Sequence, residues 1–218
     1  MEGQRAPGGA VTGRRPRQRR VSRGDLREEA LVAAAEELLR DHPPERITME
    51  TIAAAAGLSR SSVYFYFDNK NTVLAAVVHR GISRLLAGLE EALAAEAEPP
   101  LGAVVERLIA VILDNWRSYG FVFVAGAGLL SRESAVRAVY DSLCGRAARL
   151  LAEAVRRDRA RGVPVEGAEN SDELRALALT WMTERTFHQL FSRKHTVAEE
   201  ESAADALAFL IRRGLGYP

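Results

Sequence analysis

The sequence predicts an all-α protein of nine helices, divided into a small N-terminal three-helix unit and a larger helical body. Two features of the chain predict it. Hydrophobic residues make up 47% of its 218 residues and aromatics only 6%, and the helix formers Ala and Leu dominate over strand-favouring types. Apolar residues also recur at intervals of three and four, the spacing of a helix face, between segments marked by Pro and Gly. No internal repeat appears.

The first helix is expected over Asp25 to Asp41, with Leu26, Ala30, Ala33, Ala34 and Leu38 at helical spacing, and Pro43 and Pro44 terminate it. Thr48 is placed as N-cap of a short helix, Met49 to Ala55, whose Ile52 and Ala53 share a buried face. Gly57 breaks the run because glycine takes positive φ without a Cβ clash. Ser59 caps a second short helix with Val63 and Phe67 four apart on one face, and Asn69 caps a third, with Lys70 in its first turn. That third helix runs to about Glu98, where Pro99 and Pro100 stop it.

Leu101 to Tyr119 follows as a helix with Val104, Val105, Leu108, Ile112 and Trp116 inward, and Gly120 is expected to end it. Phe121 to Leu130 reads as a short buried helix, and Glu133 to Arg161 as a long one. After a loop at Gly162 to Asn170, Ser171 is expected to cap a helix to about Lys194, with Asp172 and Glu173 suited to its N-terminal dipole. Ala198 to Gly214 is the last. The expected division is residues 1–23 as a basic arm, 24–69 as the three-helix unit and 70–218 as the body.

Residues 1–23 carry seven arginines against Glu2 alone, a balance of +6 in a chain of net charge +1, so the remainder is −5. With almost no large apolar residues, the arm cannot offset its chain entropy by burial and is expected to be disordered in isolation. It reads either as a solvated tail or as an arm on DNA phosphates or in the minor groove, and its place directly before the three-helix unit favours the arm. The single cysteine, Cys144, excludes an internal disulfide and a Cys-based zinc site. The N-terminus lacks an apolar signal region and no run approaches about 20 apolar residues, so no membrane partner and a cytoplasmic location are expected. No Gly-x-Gly-x-x-Gly, supported Ser-His-Asp order or ligand-spaced histidine pair appears, so no enzyme activity, cofactor or metal is expected.

The window Ile47 to Leu74, ITMETIAAAAGLSRSSVYFYFDNKNTVL, has two short helices joined by a tight turn containing Gly, which reads as a helix-turn-helix whose second helix enters the DNA major groove. Arg60, Ser61 and Ser62 stand at the N-terminal end of that helix, where base edges are reached. Thr48, Ser59, Tyr64, Tyr66 and Lys70 complete the candidate DNA-binding set, the tyrosines and the lysine as donors to phosphate oxygens. An αα-hairpin with half-buried tyrosines is the competing reading, and the cluster of polar donors favours DNA.

Gly57 at the turn, the pair Tyr64 and Phe67, and Lys70 opening the next helix resemble the DNA-binding domain of the TetR family of transcriptional regulators. YFYF followed by Asn69 and Lys70 is similar in particular to its mycobacterial ethionamide-resistance branch, and the resemblance extends from about Asp25 to the C-terminus. It implies nine helices, three in the DNA module and six in the body, and a dimer binding a palindromic operator. The residues point the same way: Leu174, Leu177, Leu179, Trp181, Leu190, Leu207, Phe209 and Leu210 surround much of the girth of the last two long helices. A helix apolar on several faces needs a second partner, which a second copy would supply as a four-helix bundle; a monomer covered by its own helices is the alternative.

The stretch LTWMTERTF, Leu179 to Phe187, also resembles that branch, whose ligands occupy a mainly apolar channel. The resemblance implies ligand-binding places at Thr180, Thr183, Glu184, Phe187 and His188, and at Val105, Ile112, Trp116, Tyr140, Cys144 and Leu150. Aligned on Glu184 to Thr186, Thr180 and Thr183 stand where those relatives have asparagines that hydrogen-bond ligands. Each position also has a plainer reading: Trp116, Trp181 and Met182 as core, Cys144 as a small apolar filler, and Glu184 with Arg185 as either a buried charged pair or a polar end of the pocket. The function expected is a ligand-responsive DNA-binding repressor, released by a small apolar effector. A DNA-binding regulator without ligand control, and a helical enzyme using the cavity, are the alternatives.

Overall fold

The computed structural model describes residues 22–94, 99–129 and 134–218. Among them are eight α-helices, three short 3-10 turns and no strand. The helices are α1 Arg23–Asp41, α2 Met49–Ala55, α3 Arg60–Tyr66, α4 Lys70–Leu93, α5 Val105–Leu129, α6 Ser134–Ala160, α7 Asp172–Phe191 and α8 Val197–Gly214. The basic arm expected over 1–23 lies, as far as residue 21, outside the described residues; Arg23 opens α1.

Side-chain caps set most of the helix starts. Ser22 and Asp25 form a reciprocal capping box on α1, as do Thr48 and Thr51 on α2, Asn69 and Thr72 on α4, and Thr196 and Glu199 on α8. Each box satisfies backbone N–H groups that the first helical turn leaves unpaired. Ser171 is different. Its backbone is already helical (φ −99°, ψ −7°), and its hydroxyl donates to the Ala168 carbonyl at 2.7 Å, closing the 3-10 turn Glu169–Ser171 that runs into α7. The cap expected of Ser171 is therefore absent.

Eight helices stand among the described residues where nine were expected, because α5 runs through Gly120 without interruption. A Cβ on Gly120 would sit 2.9 Å from a Phe191 ring carbon, and one on Gly126 would sit 2.8 Å from Val78. These glycines are notches in a continuous helix that let neighbouring helices approach closely, at the cost of weaker intrinsic helix propensity. The buried stripe of α1 is also displaced by one position. Leu31, Val32, Ala35 and Leu39 face the core, and Leu26 is 59% exposed. Both stripes have helical spacing in this alanine-rich helix, and the one holding the larger Leu and Val side chains removes more apolar surface from water.

In the body, α4 packs against α5 and α6, α6 against α7, and α5 against α7 and α8. By length and composition alone, Lys70–Leu93 and Val105–Gly128 are apolar enough to cross a membrane, contrary to the expectation from the sequence. Here they form the centre of the bundle, where burial on several sides accounts for their apolar character. At the end of the body remote from α3, Asp158 is buried and accepts from the Leu101 N–H at 2.7 Å and the Tyr217 hydroxyl at 2.6 Å, with Arg161 also paired to it. Glu166 N–H donates to the Gly216 carbonyl at 2.9 Å, so the α4–α5 link, α6, the α6–α7 loop and the C-terminus meet in one clasp.

Candidate functional site

The sequence signals of the helix-turn-helix take the following local form. Gly57 has φ +66°, and the Gly57 and Leu58 N–H groups close the end of α2 on Ala54 and Ala53, the αL ending that glycine supports. Ser59 then caps α3, its hydroxyl 2.9 Å from that of Ser61 and 2.8 Å from that of Ser62. Val63 and Phe67 anchor α3 to the core. On the opposite face Tyr64 is 45% and Phe65 82% exposed, with Tyr66 partly buried and packed edge-on to Phe65. Arg60 is exposed, ion-paired to Glu50 of α2 at 2.8 Å, with its guanidinium 5.6 Å from the centre of the Tyr64 ring.

Two of the candidate DNA-binding residues have local structural duties as well. Thr48 is exposed and its hydroxyl caps α2, while Lys70 donates one of its three N–H groups to the Pro44 carbonyl at 3.0 Å. Phe65 was not among the candidates from the sequence. The signal was there: with Val63 and Phe67 buried, a residue two positions from each lies about 200° around the helix and must face out. A large apolar side chain held in solvent on this face is suited to contact with a thymine methyl group.

The helix-turn-helix is tied to the body through α1. Arg80 of α4 bridges Glu36 at 3.1 Å and Glu29 at 2.8 Å, and Arg40 lies 4.5 Å over the Phe121 ring of α5. These contacts fasten α1, and with it the unit that carries α3, to α4 and α5.

Inside the body is a cavity of about 100 Å³ with an almost wholly apolar wall. Of the candidate ligand-binding residues, Val105, Ile112 and Trp116 of α5, Tyr140, Cys144 and Leu150 of α6, and Thr180, Thr183 and Glu184 of α7 line it. Phe187 and His188 are not on the wall. Phe187 lies behind it, fully buried, with its ring 6.2 Å from that of Trp116. One side of the cavity, formed by Ile82, Leu85, Leu86, Leu89 and Leu93 of α4, was missed; the amphipathic spacing of that helix beyond the DNA-binding unit could have found it.

Burial governs the chemistry of the wall. It raises the Tyr140 hydroxyl pKa, and it pushes the Cys144 thiol up to about 12. Burial likewise raises the Glu184 carboxyl, with Arg185 opposing, and lowers His188. Arg185 is exposed, and no ion pair joins it to Glu184 among the described residues; Glu184 belongs to the cavity wall. A thiol moved from 9.0 to about 12 has about a thousandfold less thiolate near neutral pH. Alkylation of native Cys144 by iodoacetamide at pH 8 is accordingly expected to be about a thousandfold slower than in urea. Mass spectrometry over a time course measures this, and a native rate within tenfold of the unfolded rate would contradict the burial of Cys144.

Residues 31–77 match the family model described as bacterial regulatory proteins, tetR family, and residues 105–211 match that of the transcriptional regulator EthR, C-terminal domain. The HTH-type transcriptional regulator EthR of Mycobacterium tuberculosis is 30% identical over 201 residues, covering 89% of this chain and 90% of that protein. The chain belongs to the TetR family. The EthR of Mycolicibacterium smegmatis is likewise 30% identical, over 175 residues and 79% of each chain. Solved TetR-family folds agree: a regulator from Streptomyces coelicolor superposes with TM-score 0.65 at 21% identity, covering 89% of this chain and 90% of that one. FadR of Thermus thermophilus, a TetR-family repressor solved with lauroyl-CoA, gives TM-score 0.65 at 22% identity, covering 86% of this chain and 94% of that one. This TetR-family protein is thus a DNA-binding transcriptional regulator of the EthR-like kind, and its relatives are regulators, not enzymes.

Proposed function

We propose that this TetR-family protein is a cytoplasmic repressor that binds a palindromic operator as a homodimer and leaves it on taking up a small apolar effector. One observation carries the reading. The cavity is walled along one side by α4, and α4 begins at Lys70, four residues after the end of α3. A ligand that alters the packing of α4 therefore alters the placement of α3, provided it binds the non-DNA-binding arrangement more tightly. The complex of the FadR neighbour with lauroyl-CoA supports an apolar cargo for this fold. Exposed Leu174, Phe209 and Leu210 on α7 and α8 support a dimer through those helices, which would set two α3 helices on two half-sites.

Anisotropy with duplexes from the intergenic region beside the chain's own gene tests the DNA half of the reading. Tyr64→Phe is expected to weaken binding on all duplexes, whereas Arg60→Ala is expected to relax base preference at one position by about 1–3 kcal/mol. Deleting residues 1–23 is expected to flatten the salt dependence, by about 0.9 in logarithmic slope per lost phosphate contact. For the ligand half, compounds that raise the melting temperature are expected to lower operator affinity. Stabilising compounds that leave operator affinity unchanged would favour a regulator without small-molecule control.

A further inference from the structure

Among the described residues, the carboxylates buried elsewhere all have partners. Glu36 pairs with Arg80 at 3.1 Å, and Glu200 with Arg117 at 2.7 Å and with His195 at 2.9 Å. Asp158 and Asp172 are held by Arg161 and Arg159, and Asp158 also by Tyr217. Glu184 is the exception: it faces the cavity, and no side chain among the described residues donates to it. A partly buried carboxyl left without a donor is costly, so the cavity wall holds an acceptor to which a ligand can supply the donor.

The hydroxyls around Glu184 cannot serve as that donor. Thr180 and Thr183 give their protons to the Ala176 and Leu179 carbonyls, each at 2.8 Å, and Tyr140 gives its own to the Phe123 carbonyl at 2.9 Å. With those protons committed, the three oxygens offer a ligand lone pairs only. Glu184 and these hydroxyls therefore form a patch of acceptors in an otherwise apolar wall.

The patch has a definite position. Glu184 acts electrostatically on Tyr140 and Cys144, Tyr140 bonds to Phe123, and Phe123 packs against Gly81 beside Ile82. The polar end of the cavity is thus the end nearer the start of α4, towards the DNA-binding unit. The opposite end is bounded by Leu93, Leu150, Leu151 and Ile211 and is apolar. From Ile82 to Leu93 the wall of α4 extends about 16 Å at the helical rise.

On the ligand-responsive reading given above, we propose that the effector is an elongated aliphatic molecule carrying an amine head, with the ammonium hydrogen-bonded to Glu184 and the chain running along α4 towards Leu93. The amine brings both the donors and the positive charge that the patch lacks, and burial of Glu184 strengthens the attraction. A fatty-acid carboxylate would set its charge against Glu184 and its lone pairs against those of the threonines. It is selected against.

Decylamine, decanol and decanoate at pH 7, each below its aggregation threshold, test this by isothermal titration and thermal shift on the full chain. The expected order of affinity is amine, alcohol, acid. Glu184→Gln is expected to lower decylamine affinity by about tenfold or more and to bring decanoate up towards decanol, while the melting temperature without ligand is retained. The order in the unsubstituted protein is decisive even if the variant fails to fold: decanoate binding as tightly as decylamine would overturn the inference. Equal binding of all three, or an amine affinity untouched by Glu184→Gln, would overturn it and leave the effector reading standing. No shift with any of the three would remove both.

Discussion

Replacing Asp158 with Ala is expected to cost about 3–5 kcal/mol, because it removes a buried carboxylate and leaves the buried donors around it without an acceptor. Asp158 is only 1% exposed and accepts from Leu101 N–H, Tyr217 Oη–H and Arg161. Without its carboxylate, a backbone donor and a phenol buried at the end of the body lose their acceptor. A chain of this size shifts by about 2–4 °C per kcal/mol, so the melting temperature should fall by about 10 °C at matched protein concentration. Tyr217→Phe removes one hydrogen bond and leaves the rest of the clasp, and is expected to cost about 1–2 kcal/mol. The comparison separates the clasp from a general sensitivity of the C-terminus. If Asp158→Ala melts within 2 °C (about 1 kcal/mol) of the parent, the clasp contributes nothing to stability.

The second large effect concerns the outer face of α7 and α8. Leu174 is 70% and Phe209 62% exposed in the single chain, and Leu210 adjoins Phe209 on the same helix. Phe209→Glu places a charge at the centre of this apolar face. If the face joins two copies, desolvating that charge opposes association, and the variant should elute and scatter light as a monomer. Operator binding would then lose the benefit of two linked recognition helices, and affinity should fall by about 100-fold or more. The ligand cavity lies on the inner side of these helices, so decylamine binding to the variant should be retained. A variant that remains dimeric with unchanged operator affinity would place the interface elsewhere.

The two experiments concern opposite kinds of contact. The clasp joins residues 57 and 59 positions apart through one carboxylate, and no periodicity or motif could have announced it. The exposed face of α8 was legible, because Phe209 and Leu210 stand beside Leu207 in a helix that carries more apolar residues than one buried face requires. Phe65 falls between these cases: its outward position follows from Val63 and Phe67 by helical geometry alone.

Most cavity-lining residues on α5, α6 and α7 were indicated by the family resemblance, whereas the sequence by itself determined the all-α class, the caps at Thr48, Ser59 and Asn69, and the turn at Gly57. These are properties of local chemistry: a hydroxyl beside a free N–H, a glycine where φ is positive, apolar spacing around one helix. Tertiary structure alone decided three things. Gly120 continues a helix instead of ending it, because its missing Cβ makes room for Phe191. Leu31 and Val32, not Leu26 and Ala30, face the core of the DNA-binding unit, because the larger side chains bury more surface there. Among the described residues, partly buried Glu184 has no side-chain donor while the buried carboxylates have theirs. Whether a charged or small residue is a helix breaker, a packing notch or a site depends on which atoms a distant helix brings against it, and only the folded chain supplies those atoms.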